Sequence, residues 1–156
     1  LEFEIKGRAG ELMPTLGLPA DLNLRLSMSA YRSRVDDVPA PNNRLEQQQP
    51  WSLTMGFDHR WAGTPLGFGA NLAVTPGYVT QQTAATTQEL SRVRTFDAYL
   101  SWTFSREASF RLSVNNAVPL DNRTISRTVE SGGYVLSNDS LRRVNANWNA
   151  GFSLKF

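Results

Sequence analysis

Asp36 and Asp37, with Glu46 nearby, place three carboxylates in one polar stretch of the chain. Clustered side-chain oxygens in a loop are the chemistry that holds calcium. Their spacing matches no calcium-loop pattern, so a solvated acidic pair is the expectation. One His and no Cys exclude a thiolate nucleophile, a disulfide framework and a Cys-ligated metal, and leave a triad or His-rich metal site without partners. His59, between Asp58 and Arg60, reads as an interfacial or turn-capping residue. No catalytic constellation is present, so the chain is not expected to be an enzyme, and no cofactor or metal is expected. The groups with work to do are charges that fall on the polar side of alternating runs. Arg25, Asp58, Asp97 and Arg111 are placed to line a solute path or to contact a neighbouring surface. Asn145, Asn147 and Asn149 recur at every second residue, a ladder suited to cross-strand hydrogen bonding or to contact with a neighbouring surface rather than to catalysis.

The elements that must position these groups follow from composition and period. The chain has 156 residues, a prior of one domain. Ser, Thr, Asn and Gln number 43 together, and the formal net charge is only +2. That near-balance carries no nucleic-acid footprint, which would show as a basic face or cluster. No apolar run approaches the ~18 residues of a membrane-spanning helix. The chain opens at Leu1 inside an alternating run, as expected of a fragment or a processed piece.

Period-2 alternation predicts seven strands. Leu1, Phe3 and Ile5 alternate with Glu2, Glu4 and Lys6; Leu22 to Ala30, Trp51 to Phe57, Leu66 to Val74, Phe96 to Phe104 and Ala108 to Val114 behave alike. The last run is the longest: Val144, Ala146, Trp148, Ala150, Phe152, Leu154 and Phe156 share one parity, predicting one unbroken strand over residues 143–156. Short connections near Met13–Ala20, Ala62–Pro65 and Ser105–Glu107 alternate with long polar ones over Val35–Pro50, Pro76–Arg94 and Asn116–Arg142. Short turns on one side and long loops on the other are the habit of an outer-membrane barrel. The fold class expected is therefore all-β, an antiparallel transmembrane β-barrel segment of about seven long strands, with short periplasmic turns and long, mobile extracellular loops. The apolar parity would face lipid and the polar parity a wet lumen. Trp61, Trp102, Phe104 and Phe156 near the short turns, and Trp51 and Tyr78 toward the long loops, suit interfacial girdles. A soluble all-β sandwich also alternates, but with shorter strands and less segregated loops.

Several stretches carry a family resemblance. Leu1-Glu2-Phe3-Glu4-Ile5-Lys6-Gly7 resembles a Glu-bearing descending strand, and Leu24 to Tyr31-Arg32-Ser33 a rising strand that ends in Tyr. Gln49-Pro50-Trp51 leads to Gly56-Phe57-Asp58, and Phe96-Asp97-Ala98-Tyr99-Leu100-Ser101-Trp102 resembles a penultimate descending strand. Leu112-Ser113-Val114-Asn115-Asn116 through Asp121 is similar to a further family stretch, though with altered spacing and no aromatic after Asn. In this order they resemble the carboxy-terminal third of a TonB-dependent outer-membrane receptor, over essentially the whole of residues 1–156.

The resemblance implies a barrel of about 22 strands, with an amino-terminal plug domain that this chain lacks. It implies uptake of a scarce solute such as a metal chelate, energised through TonB, and residence in the bacterial outer membrane. Expected partners are the remainder of the same barrel, its plug, outer-membrane lipid and, indirectly, the TonB system. The closing residues Trp148, Phe152, Leu154 and Phe156 resemble the terminal signal read by the barrel-assembly machinery. Physics agrees that seven strands are incomplete, because an open sheet edge is not tolerated in lipid. A complete eight-stranded barrel would need one more strand; only Arg127–Ser137 offers one, and Gly132-Gly133 interrupts it. A structural or adhesin-like all-β binding domain without transport is the alternative function.

Overall fold

A computed structural model describes residues 1–19 and 21–155. Phe156, expected to close the final strand, lies outside the described residues. Among the described residues eleven strands follow in chain order: β1 (Glu2–Arg8), β2 (Asn23–Ala30), β3 (Trp51–Arg60), β4 (Leu66–Thr75), β5 (Tyr78–Gln81), β6 (Thr86–Leu90), β7 (Val93–Thr103), β8 (Ala108–Asn115), β9 (Asn122–Val129), β10 (Val135–Arg142) and β11 (Asn147–Leu154). Between β1 and β2 the chain makes one helical turn, α1 (Ala9–Leu12), and a 3₁₀ turn at Pro14–Leu16.

The seven alternating runs form one antiparallel sheet in the order β1-β2-β3-β4-β7-β8-β11. The register keeps every parity in phase. Ile5, Leu26, Met55, Leu72 and Phe96 form one apolar row, and Leu24, Phe57, Ala70, Ala98, Val114 and Trp148 the next. A one-residue slip anywhere would throw a strand's apolar set onto the polar face, so the pattern itself specifies the pairing. Toward the short turns Trp102 stacks on Phe104 at 5.7 Å, and Phe104 meets Phe152 at 6.2 Å. These three rings form an aromatic row where a girdle was expected.

The final strand is shorter than its sequence pattern. It begins at Asn147, not Arg143, and covers 8 residues. A strand extends only where a partner offers hydrogen bonds. Its partner β8 ends at Asn115, opposite Asn147. Val144 instead donates its amide to Asp121 Oδ1 at 3.0 Å.

Two of the three long connections are not irregular. They fold into hairpins β5–β6 and β9–β10, which pair into a four-stranded sheet in the order β10-β9-β6-β5. Gly132-Gly133, which interrupts the sequence pattern, is the tip of the second hairpin, where Gly133 takes φ +79°, a conformation open to glycine at no steric cost. The strand order repeats that of the wall below, since β5 continues β4, β6 leads into β7, β9 continues β8 and β10 leads into β11. The long-loop end is therefore an upward extension of the wall. The first long loop docks on it: Gln81 donates its amide to the Asn42 carbonyl at 2.8 Å, and Gln82 Nε2 donates to Glu46 Oε1 at 2.6 Å.

Candidate functional site

The polar face of the seven-stranded sheet brings together three of the residues singled out by sequence. Arg25 on β2 donates to Asp58 Oδ2 on β3 at 2.6 Å. The Tyr99 hydroxyl on β7 donates to the other carboxylate oxygen of Asp58. The Arg111 guanidinium on β8 lies 3.9 Å from the centre of the Tyr99 ring, a cation–π contact. A chain of contacts thus runs Arg25–Asp58–Tyr99–Arg111 from β2 to β8. Tyr99 reaches Asp58 because Gly69 stands between them in register on β4 and offers no side chain. Asp97 is one row away and accepts the Asn116 amide at 2.7 Å, which secures the end of β8.

The asparagine ladder is only partly assembled. Asn147 and Asn149 lie on the polar face of β11, opposite Asn115 and Ser113, and both are exposed. Asn145 falls before the strand begins. Trp148, Phe152 and Leu154 stand exposed on the apolar face of β11, an edge strand of the sheet.

The carboxylates of the first long loop do not converge. Asp36 pairs with Arg34 at 3.1 Å, and Glu46 turns to Gln82. Among the described residues no cluster of three or more metal-ligating side chains occurs. His59 packs edge-to-face on Phe68 at 5.4 Å, with Nδ1 3.5 Å from Asp21 Oδ1. That nitrogen is buried and makes no hydrogen bond among the described residues.

Sequence reasoning missed two features. Tyr99 is the hinge of the polar network, and its signal was an aromatic on the polar parity facing a glycine. The second is the ion chain on the loop sheet, where Arg127 Nη1 lies 3.3 Å from Glu89 Oε2 and Arg123 forks onto the Asp139 carboxylate. Hydrogen bonding from Arg123 holds the Asp139 carboxyl below its usual range. Burial raises the Tyr78 phenol on β5, with Arg44 opposing.

Residues 1–117 match the family model described as TonB dependent receptor-like, beta-barrel. The chain belongs to the TonB-dependent receptor β-barrel family. No curated protein and no solved structure matches it. As a segment of a TonB-dependent receptor barrel it resides in the bacterial outer membrane, crossing it several times with antiparallel strands. The short turns then face the periplasm, and the four-stranded extension lies outside the cell. The Arg25–Asp58–Tyr99–Arg111 chain lies on the polar face of the sheet and the Ile5–Phe96 row on the apolar face. The family is one of receptors and transporters rather than enzymes.

Proposed function

We propose that this chain forms the carboxy-terminal third of the wall of an uptake receptor, about seven of some 22 strands, surrounding a plug domain and admitting a scarce solute such as a metal chelate with energy from TonB. The observation that carries this reading is the lumen face. It is a continuous polar wall whose charged groups are ordered by side-chain contacts across five strands, and it is prolonged outward by a folded extension rather than by slack loops. The barrel remainder closes the open edges β1 and β11, and lipid covers the apolar face.

The test is accumulation of radiolabelled ferric chelates and cobalt-containing corrinoids by cells that carry or lack the receptor. Each strain is measured with TonB present, with TonB deleted, and after collapse of the proton gradient. Receptor-dependent accumulation that disappears without TonB is expected. Accumulation indifferent to the receptor for every chelate offered, with the barrel present in the membrane, would favour an adhesin-like or purely structural barrel.

A further inference from the structure

The turn between β1 and β2 is apolar, where a turn facing water is ordinarily polar. It carries Leu12, Met13, Leu16 and Leu18, and its three leucines are exposed. The β7–β8 turn, by contrast, carries Ser105, Arg106 and Glu107. The apolar turn is also fixed to the wall. Ala9 is fully buried and donates its amide to the Leu22 carbonyl at 2.7 Å, and Met13 donates to the Ala9 carbonyl at 2.8 Å. Leu12 folds back over the apolar face of β1. Alternation there runs Leu1, Phe3, Ile5 and then Gly7. A Cβ on Gly7 would stand 3.3 Å from the Leu12 side chain, so the missing group makes the room that Leu12 takes.

Beside Leu12 and Met13 lies a trough of about 550 Å³, within the roughly 300–1,000 Å³ of ligand sites. Its lining is the Ile5–Phe96 row, with Leu24, Phe57 and Ala70 of the row beside it. Ala70, in register between Phe57 and Ala98, leaves the space open. Arg25, Gly56 and Asn71 also border it, but they belong to the polar parity, where Arg25 engages Asp58. The trough is inclined to the membrane. Ile5 lies three residues from the end of β1 at Arg8, and Phe96 seven from the end of β7 at Thr103. At about 3.3 Å per residue and a tilt near 45°, it climbs from roughly 7 Å to roughly 16 Å above the short-turn ends. In an apolar band ~25 Å tall, that course starts near the periplasmic boundary and reaches just past the middle. An acyl chain whose headgroup sits at the periplasmic surface follows the same course.

We infer that this trough seats an acyl chain of an inner-leaflet phospholipid, with Leu12 and Met13 framing its headgroup end. The inference rests on the reading above in one respect, that lipid covers the apolar face. Depth selects the phospholipid over lipopolysaccharide, whose chains enter from the outer side. The apolar turn is then at home in the same leaflet rather than in water.

The test uses the full-length receptor in vesicles of phosphatidylethanolamine and phosphatidylglycerol, with a trace of phosphatidylethanolamine that carries a photoreactive diazirine on one acyl chain. Adducts mapped by mass spectrometry should concentrate on Met55, Phe57 and Leu72 over Leu100 and Leu112, which share the apolar face outside the trough. Ala70→Trp fills the trough while staying apolar, and should lower the Met55 adduct about ten-fold, the equivalent of about two methylenes lost from contact. Ala150→Trp, opposite Leu112 on the same face, should leave it unchanged. Should Ala70→Trp fail to assemble, Leu12→Ser should give a smaller loss in the same direction. Adducts spread evenly over the apolar face, or a Met55 adduct unmoved by these substitutions in a folded barrel, would overturn the seat and leave ordinary fluid lipid there. A Met55 adduct gained only from a lipopolysaccharide bearing the same diazirine, or a Met55 crosslink to a second receptor, would overturn it equally. Adducts on Thr54 and Ser101 in place of Met55 and Leu100 would instead defeat the lipid-facing assignment beneath it.

Discussion

Gly69→Ala tests the lumen network at its narrowest point. Gly69 pairs in register with Asp58 on one side and Tyr99 on the other. A Cβ there would lie 2.7 Å from Asp58 Oδ1, from the Phe57 carbonyl oxygen and from Tyr99 Cε1. The two side chains can swing away, but the Phe57 oxygen is main chain within a ladder and moves only with β3. Overpacking of this kind costs about 1–3 kcal/mol. Displacing Tyr99 also forfeits a hydrogen bond to a carboxylate, about 1.5–3 kcal/mol when well shielded. The Asp58 side chain is 31% exposed, which puts that second loss at its lower end. Replacing glycine within a strand returns about 0.5–1 kcal/mol. The net expectation is a loss of about 2–3 kcal/mol. Gly151 on β11 is the matched control, since it lies on the same face opposite Arg111 and a Cβ there meets nothing within 4 Å. Gly151→Ala should be neutral or stabilising by up to about 1 kcal/mol. Urea unfolding of the receptor in lipid vesicles, followed by tryptophan fluorescence, measures both. Equal effects of the two substitutions would refute the claim that Gly69 is kept free for the Tyr99–Asp58 contact.

Three further outcomes are expected. Met55→Arg, on the lipid face, should cost about 2–4 kcal/mol by the same unfolding assay, and Thr54→Arg, its neighbour on the lumen face, much less; equal costs would reverse the assigned faces. Because Arg123 lowers the Asp139 carboxyl, their pairing stabilises the β9–β10 hairpin above the ordinary carboxylate pKa and is lost as pH falls through the lowered value. Amide exchange of residues 123–129, corrected for intrinsic rates, should therefore lose protection in acid, and Asp139→Asn should abolish that pH dependence. Deleting Phe156 should reduce the amount of receptor assembled in the membrane more than the Tm of what does assemble, since an open terminal strand offers backbone bonds and alternate side chains to the assembly machinery; unchanged assembly with a lowered Tm would leave Phe156 a girdle aromatic.

The wall was legible because each of its strands separates lipid from water, which writes alternation into the sequence at every second position. The same rule misjudged its ends. Arg143 to Ala146 alternates as well as Asn147 to Leu154 does, yet only the latter has a partner strand. The loop sheet was illegible for the opposite reason. Thr86 to Leu90 and Asn122 to Val129 have water on both sides, so both parities are polar and no period marks them as strands. Thr124, Ile125, Thr128 and Val129 before Gly132-Gly133 were the available signal, because β-branched residues favour strands whatever they face. In the lumen, Arg25, Asp58 and Arg111 could be picked out as charges on the polar parity. Their connection through Tyr99 depends on a cross-strand register that no single strand records.

The level at which the strands break marks where the residue pattern changes. Breaks fall at Pro76-Gly77, Ser91-Arg92, Asn116 to Asp121 and Arg143 to Ala146, in all four arms of the extension. Below them one face is apolar. Above them Thr80, Thr86, Gln88, Thr124 and Ser126 share one face while Glu89, Arg123, Arg127 and Asp139 share the other. The 11 residues of β7 span roughly 36 Å, and a tilt near 45° brings that close to the ~25 Å apolar band of an outer-membrane barrel. Strand length, the level of the breaks and the change of pattern therefore agree on one membrane boundary. Bonds at the breaks, such as Ser91 donating its amide to the Arg123 carbonyl at 2.9 Å and Ala117 to the Phe96 carbonyl at 2.6 Å, keep the two sheets in register. From the hydrogen-bonded rim toward the short turns, the polar face thus passes from rows that carry Glu2 and Glu4 to rows that carry Lys6, Arg8, Arg25, Arg60 and Arg111 with Asp58 and Asp97.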